Sequence, residues 1–157
     1  MQTGLWGNPV WRMPPDRSWI AVRIVSAKVV LDHRTVLGAD GRTPEESEVE
    51  SFRITSQRAN SEYGERPKPY VQYVPVYGIT VPYKEPRDGV YGYRVTSDDL
   101  LWATGIENCI GKLGRCSLEF LCNTMVGQVV LVDLYHSLHD GLVFDFIDSS
   151  TFRPVPD

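Results

Sequence analysis

The chain has 157 residues, about the size of one domain, with 42 % hydrophobic and 23 % charged residues and a formal net charge of −4. That balance permits a packed core, and the acidic total argues against a protein that coats phosphate over its whole surface. Its three cysteines, Cys109, Cys116 and Cys122, form no CxxC pair, so a zinc knuckle or redox motif is unsupported; apolar settings point to reduced, buried thiols.

Residues 1–17 hold Trp6, Trp11, Pro9, Pro14 and Pro15 without periodicity. They read as an irregular arm that packs on its own domain or on a neighbour, with residues 18–157 as a single β-rich domain. The start of the chain lacks a basic region followed by an apolar run, so no signal peptide is expected. No window approaches the ~18 apolar residues of a membrane span. A cytoplasmic or virion location is the expectation.

Trp19 to Asp32 is rich in β-branched residues and reads as a long strand. Gly38 to Pro44 is a loop, Glu48 to Gln57 a second strand, and Arg58 to Pro69 a polar loop. The next stretch holds most of the chain's tyrosines: Tyr70, Tyr73, Tyr77, Tyr83, Tyr91 and Tyr93. Pro75 and Pro82 cannot donate to a ladder, so this segment is expected at an edge, bent or broken. Residues 51–94 carry a local excess of three positive charges, so the basic excess coincides with the tyrosines.

Thr96-Ser-Asp-Asp offers a helix start with acids in the first turn. Leu100, Ala103, Ile106, Ile110 and Leu113 recur at helical spacing, so one amphipathic helix is expected over about 97–113, ending at Gly114. Cys116–Cys122, Gln128–Tyr135 and Gly141–Ile147 then read as a three-strand antiparallel meander. Its even positions Leu118, Phe120, Cys122, Val130, Val132, Leu134, Leu142, Phe144 and Phe146 are apolar and form the expected core face. The order of elements shows no βαβ alternation, which excludes a doubly wound nucleotide-binding sheet. The expected fold is mainly β (α+β), an antiparallel barrel or sandwich with one helix before the meander.

Three constellations are candidates for chemistry. Glu119, Asp133 and Asp145 fall on the opposite face of the meander, where clustered carboxylates bind Mg²⁺ or share a raised pKa. His136 and His139 sit in an expected turn, where a histidine pair can ligate zinc; a solvated turn is the favoured reading, and no metal or other cofactor is expected. No nucleophile elbow, phosphate loop or dinucleotide fingerprint is present, so the chain reads as non-enzymatic. The third constellation is the tyrosine segment with its basic neighbours.

Tyrosine, tryptophan and arginine are favoured interface anchors. The one-helix β-architecture with an aromatic, proline-bearing arm looks similar to small self-assembling virion proteins: tail, capsid-associated or matrix subunits. The leading expectation is a structural or assembly protein. It would self-associate or dock on partner proteins through Trp6, Trp11, Arg53, Tyr70, Tyr73, Tyr77, Tyr83, Tyr91, Tyr93 and Arg94. The alternative is a single-stranded nucleic-acid binder using Tyr73, Tyr77, Arg53 and Arg94 of that set, since bases stack on aromatic plates set among arginines. Strands, helix, strands is also compatible with an elaborated oligonucleotide-binding barrel, whose helix lies between its third and fourth strands. A small hydrolase or metal-dependent enzyme built on the carboxylate face is the second alternative.

Overall fold

A computed structural model describes residues 12–60, 62–66, 68–107 and 117–156. Seven strands, all paired antiparallel, dominate it: β1 (Ser18–Leu37), β2 (Pro44–Arg58), β3 (Tyr70–Pro75), β4 (Ile79–Arg87), β5 (Val90–Val95), β6 (Val129–His139) and β7 (Leu142–Pro154). Two short helices, α1 (Asp98–Ala103) and α2 (Leu118–Met125), lie between β5 and β6. Five strands form one sheet in the order β3-β2-β1-β6-β7, and β4 and β5 form a separate hairpin. The mainly β, antiparallel class holds. The sheet does not close into a barrel: β3 and β7 are its two free edges.

The long first strand organises the sheet. Its first part pairs with β6, Ser18 through Arg23 against Leu134 through Val129, and nearly its whole length pairs with β2. A bulge at Val25, between the pairs Ile24↔Ser56 and Ser26↔Thr55, inserts one residue. Side chains alternate with period two, so an inserted residue exchanges the faces. Ile20, Val22 and Ile24 point into the core before the bulge, and the odd-numbered Ala27 and Val29 pack against it afterwards.

The core lies on one face of the sheet, under the helices. Val22, Ile24, Phe52, Ile54, Val74, Val130, Val132 and Leu134 meet Leu100, Leu121 and Met125, all fully buried. Full burial of each large apolar side chain is worth about 1.5–3 kcal/mol. The β1–β2 connection is held by Asp40, whose carboxylate accepts from the Arg42 and Thr43 amides at 2.9 Å and from the Thr43 hydroxyl. The Thr43 contacts, with the Arg42 amide, draw its pKa down to about 2.

The structure corrects the helical region twice. The expected helix over 97–113 stops at Ala103. The amide of Gly105 bonds to the Trp102 carbonyl and the amide of Ile106 to the Leu101 carbonyl, with Gly105 at φ +77°. This is a Schellman stop: Gly105 ends the helix and is not a weak point inside it. The proposed stripe residues Ile110 and Leu113, with Gly114, lie outside the described residues. Replacing Gly105 with alanine meets no neighbour within 4 Å, so its effect is backbone strain alone. A loss of about 1 kcal/mol in urea unfolding is expected.

The second correction is the first strand of the meander. Residues 118–125 are helical. Ser117 caps this helix, its hydroxyl accepting from the Phe120 amide at 3.1 Å. Leu121, Cys122 and Met125 form its buried face. A short apolar run is ambiguous between helix and strand by periodicity alone, and here the cap decides it. Burial pushes the Cys122 thiol pKa up, which fits an inert core cysteine.

The β6–β7 hairpin is present, but its register differs from expectation. Asp140 and Gly141 both have positive φ, +51° and +77°, making a two-residue turn of the type that matches strand twist. His139 then pairs with Leu142, His136 with Asp145 and Leu134 with Ile147. Even positions of β6 therefore share a face with odd positions of β7. Val143, Asp145 and Ile147 are buried, whereas Leu142 is 41 % exposed. The expected core residues Leu142, Phe144 and Phe146 lie on the other face.

Candidate functional site

Strand pairing gathers charges that are far apart in sequence. Arg23 faces Gln57, Lys28 faces Arg53, and Arg53 faces Tyr73. On the other side of β1, Trp19 faces Asp133, and Leu131 stands between Ala21 and Arg153. Directly opposed residues of an antiparallel pair project to one side. Arg23, Lys28, Arg53, Tyr73 and Arg153 therefore share the face of the sheet opposite the core, and all five are exposed. Arg17, just before β1, joins them over the ring of Tyr135 at 5.2 Å. Arg34 lies on the same side beyond the bulge. These six cations outnumber the four acids on the same side, Asp32, Glu45, Asp133 and Asp148, on a chain whose total charge is −4. Two of those acids are already near a cation: Arg17 lies 3.9 Å from Asp133, and Arg34 lies 3.8 Å from Asp32.

Aromatic rings interleave with the cations. The Arg153 guanidinium sits 3.9 Å above the Trp19 ring. Tyr135 and Phe146 stack with centroids 5.8 Å apart, and Phe144 and His139 continue the row along the hairpin. Tyr73, 38 % exposed, marks the far edge on β3. Rings and guanidinium groups in this arrangement offer flat apolar faces beside positive charge, which suits planar, anionic ligands.

Of the residues expected to make contacts, Arg53 and Tyr73 stand on this face. Tyr77 lies in the β3–β4 connection and is 56 % exposed. Tyr83 and Tyr93 pair on the separate β4–β5 hairpin, centroids 5.1 Å apart. Tyr91 lies under Arg42 at 5.5 Å. The Arg94 guanidinium lies against Gly78, where a Cβ would strike it. Trp6 and Trp11 fall outside the described residues. Tyr70 is corrected outright: it is 3 % exposed and points into the protein.

Tyr70 belongs to a buried polar node that the sequence did not reveal. Its hydroxyl donates to Asp145 Oδ2 at 2.5 Å. Arg58 Nη2 donates to the same oxygen at 2.9 Å, and Arg66 Nε donates to Oδ1 at 3.1 Å. Arg66 also lies 4.3 Å over the Tyr70 ring, and its Nη1 donates to the carbonyls of Lys68 and Pro69. The node ties the β2–β3 loop to β7 between the two free edges of the sheet. Farther along, Gln72 Nε2 donates to the Asp148 carbonyl at 2.8 Å. Burial opposes the charge on Asp145. The Tyr70 hydrogen bond and the Arg66 and Arg58 guanidinium groups outweigh it and hold the carboxyl below its usual range. Burial and the adjacent carboxylate push the Tyr70 pKa up.

The carboxylate face is therefore not assembled. Asp145 is inward, Asp133 outward, and Glu119 is exposed on α2. His136 and His139 are not turn residues; both are in β6, three apart, and project to opposite faces. His136 Nε2 lies 2.8 Å from the Pro14 carbonyl, and His139 Nε2 lies 3.0 Å from the Ser137 hydroxyl. No group of three His, Cys, Asp or Glu side chains among the described residues could hold a metal ion. No helix among them is long and apolar enough to cross a membrane.

Comparison with protein-family models, curated proteins and solved structures finds no match.

Proposed function

We propose that the protein binds single-stranded nucleic acid across the outer face of its five-stranded sheet. The observation that carries this reading is the convergence of Arg17, Arg23, Lys28, Arg53 and Arg153 with Trp19, Tyr73, Tyr135 and Phe146 on that face. Cations track a phosphate backbone, and rings stack bases without regard to sequence. The strand order gives secondary support. In space it runs β6-β1-β2-β3, a three-strand meander with the next sheet strand returning beside the first, which is a Greek key. With helices between β3 and β6, it is the arrangement expected of an elaborated, partly open oligonucleotide-binding barrel, in which the face of the second and third strands meets the ligand. Titration with an oligo-dT strand, followed by quenching of tyrosine and tryptophan fluorescence, tests the reading. Binding that weakens steadily with added salt is expected. No binding at low salt, where counterion release favours it most, overturns it.

A second reading is self-association or docking on a partner protein, as in a virion subunit. The β4–β5 hairpin favours it. The hairpin is not hydrogen-bonded into the main sheet and exposes Tyr83, Val90 and Tyr93 around a depression of about 420 Å³ lined by Tyr83, Glu85, Arg87 and Val90. Aromatic side chains at such a site are common interface anchors. Light scattering across concentration should show an oligomer that Tyr83→Asp dissociates. A monodisperse monomer at high concentration would remove this reading and leave the first intact.

A further inference from the structure

The β1–β2 hairpin runs past the core as a two-stranded arm. Beyond Phe52, which pairs with Val29 and is fully buried, Leu31 stands opposite Glu50, His33 opposite Glu48 and Thr35 opposite Glu46. Opposed residues project to one side, and this is the side that carries the core farther back. It is open here: all six residues are exposed, Leu31 by 68 %. The other side of the arm is covered. Val49 is buried there, and Val81 of β4 shares a depression with Asp32 and Arg34.

The open side carries one sign of charge. Alternate residues of a strand lie about 6.8 Å apart, so Glu46, Glu48 and Glu50 form a line of carboxylates. His33 bridges two of them, with Nε2 2.7 Å from Glu46 and Nδ1 3.1 Å from Glu48. Three carboxylates beside one imidazole leave the line negative even when the imidazole is protonated. Toward the other end of β1, on the opposite side of the sheet, Arg17, Arg23, Lys28, Arg53 and Arg153 carry the reverse sign.

We propose that the arm of one copy docks on the cationic face of the next. Complementary charge selects the partner, because every copy carries both surfaces and the face is made to receive anions in a line. The contact cannot form within one copy, since arm and face lie on opposite sides of one sheet. It is not self-complementary either, so copies add head to tail. Leu31 enters the contact and leaves water, which favours docking. The inference goes beyond the nucleic-acid reading by giving its cations a competitor: a docked arm and a bound strand exclude each other. It also uses a different surface from the β4–β5 hairpin.

Light scattering at low salt and rising protein concentration, without nucleic acid, tests it. The wild-type assembly should grow with concentration and come apart as salt screens the contact. Two variants separate the surfaces. Arg23→Glu/Arg53→Glu reverses the face, and Glu46→Lys/Glu48→Lys/Glu50→Lys reverses the arm. Each alone sets like charges against each other and should associate more weakly by about tenfold or more. Mixed in equal amounts they should associate again, since the reversed arm meets the reversed face. All the substituted side chains are exposed, so both variants should melt near the wild-type temperature. A wild-type monomer at low salt, or a mixture that stays monomeric, overturns the inference. So does association that both variants keep and Tyr83→Asp abolishes, which places the contact on the β4–β5 hairpin. Added oligo-dT should dissolve the wild-type assembly, and a strand that binds without dissolving it overturns the shared face. Assembly and charge-swap rescue without any strand binding uphold the inference and remove the nucleic-acid reading alone.

Discussion

Asp145→Ala should cost about 3–5 kcal/mol of unfolding free energy, measured by urea denaturation. Asp145 is 2 % exposed, and the side chains of its partners Arg58 and Arg66 are only 5 % and 10 % exposed. Removing the carboxylate leaves two guanidinium groups close together, poorly hydrated and without their counter-charge, and takes the acceptor from the Tyr70 hydroxyl. Domains of this size are stable by about 5–15 kcal/mol, so the loss is a large share of the total. The pH dependence gives an independent check. The folded-state pKa of Asp145 lies below its unfolded value, about 3.9 in model peptides. The unfolded chain therefore takes up the proton first as pH falls. The contribution of Asp145 is full above the unfolded pKa and is lost as pH drops through the folded pKa. The wild-type protein should lose stability on the acid side of about pH 4, and the variant should lack that part of the slope. Equal acid limbs for the two proteins would show that the node does not hold the carboxylate ionised.

The double variant Arg23→Glu/Arg53→Glu should weaken binding to single strands most at low salt. The log of affinity falls with the log of salt by about 0.7 for each phosphate contact on a single strand. Five cations in contact give a slope near −3.5, so wild-type affinity should fall about a hundredfold between 50 and 200 mM salt. Removing two contacts should flatten the slope to about −2. Tyr73→Ala acts through stacking, at about 1–3 kcal/mol per base, and should leave the salt slope near its wild-type value. Arg23 and Arg53 are exposed and outward, so the melting temperature should change little. A salt slope unchanged by the double variant would place the binding surface elsewhere.

The positions of β1, β2, β3, β6 and β7 were legible because each carries a run of β-branched or alternating residues. Faces were less so. Register in β7 depended on whether the turn held His136 and His139 or only Asp140 and Gly141, and a one-residue difference reverses every side chain. That difference moved Asp145 from a solvated carboxylate row into the core and moved Phe144 and Phe146 out. The Asp-Gly pair was the available signal, since both turn residues need positive φ. Ser117 was the corresponding signal for α2, and Gly105 for the end of α1.

The cationic face could not be read along the chain. Arg17, Arg23, Lys28, Arg53 and Arg153 span most of its length, and no window contains them all. Within β1, the bulge at Val25 puts Arg23 and Lys28 on one face although their spacing is odd. The tyrosine segment drew attention through local density, yet its members disperse to the core, the sheet face and a separate hairpin.

Sequence by itself determined that the protein is mainly β and antiparallel, because alternation and β-branching are local properties that strand formation must satisfy. Tertiary structure decided which charges and rings share a surface, and that Asp145 joins Arg58, Arg66 and Tyr70 inside. Those neighbours are set by strand order, a bulge and one two-residue turn, each a long-range or register event with little imprint on local composition.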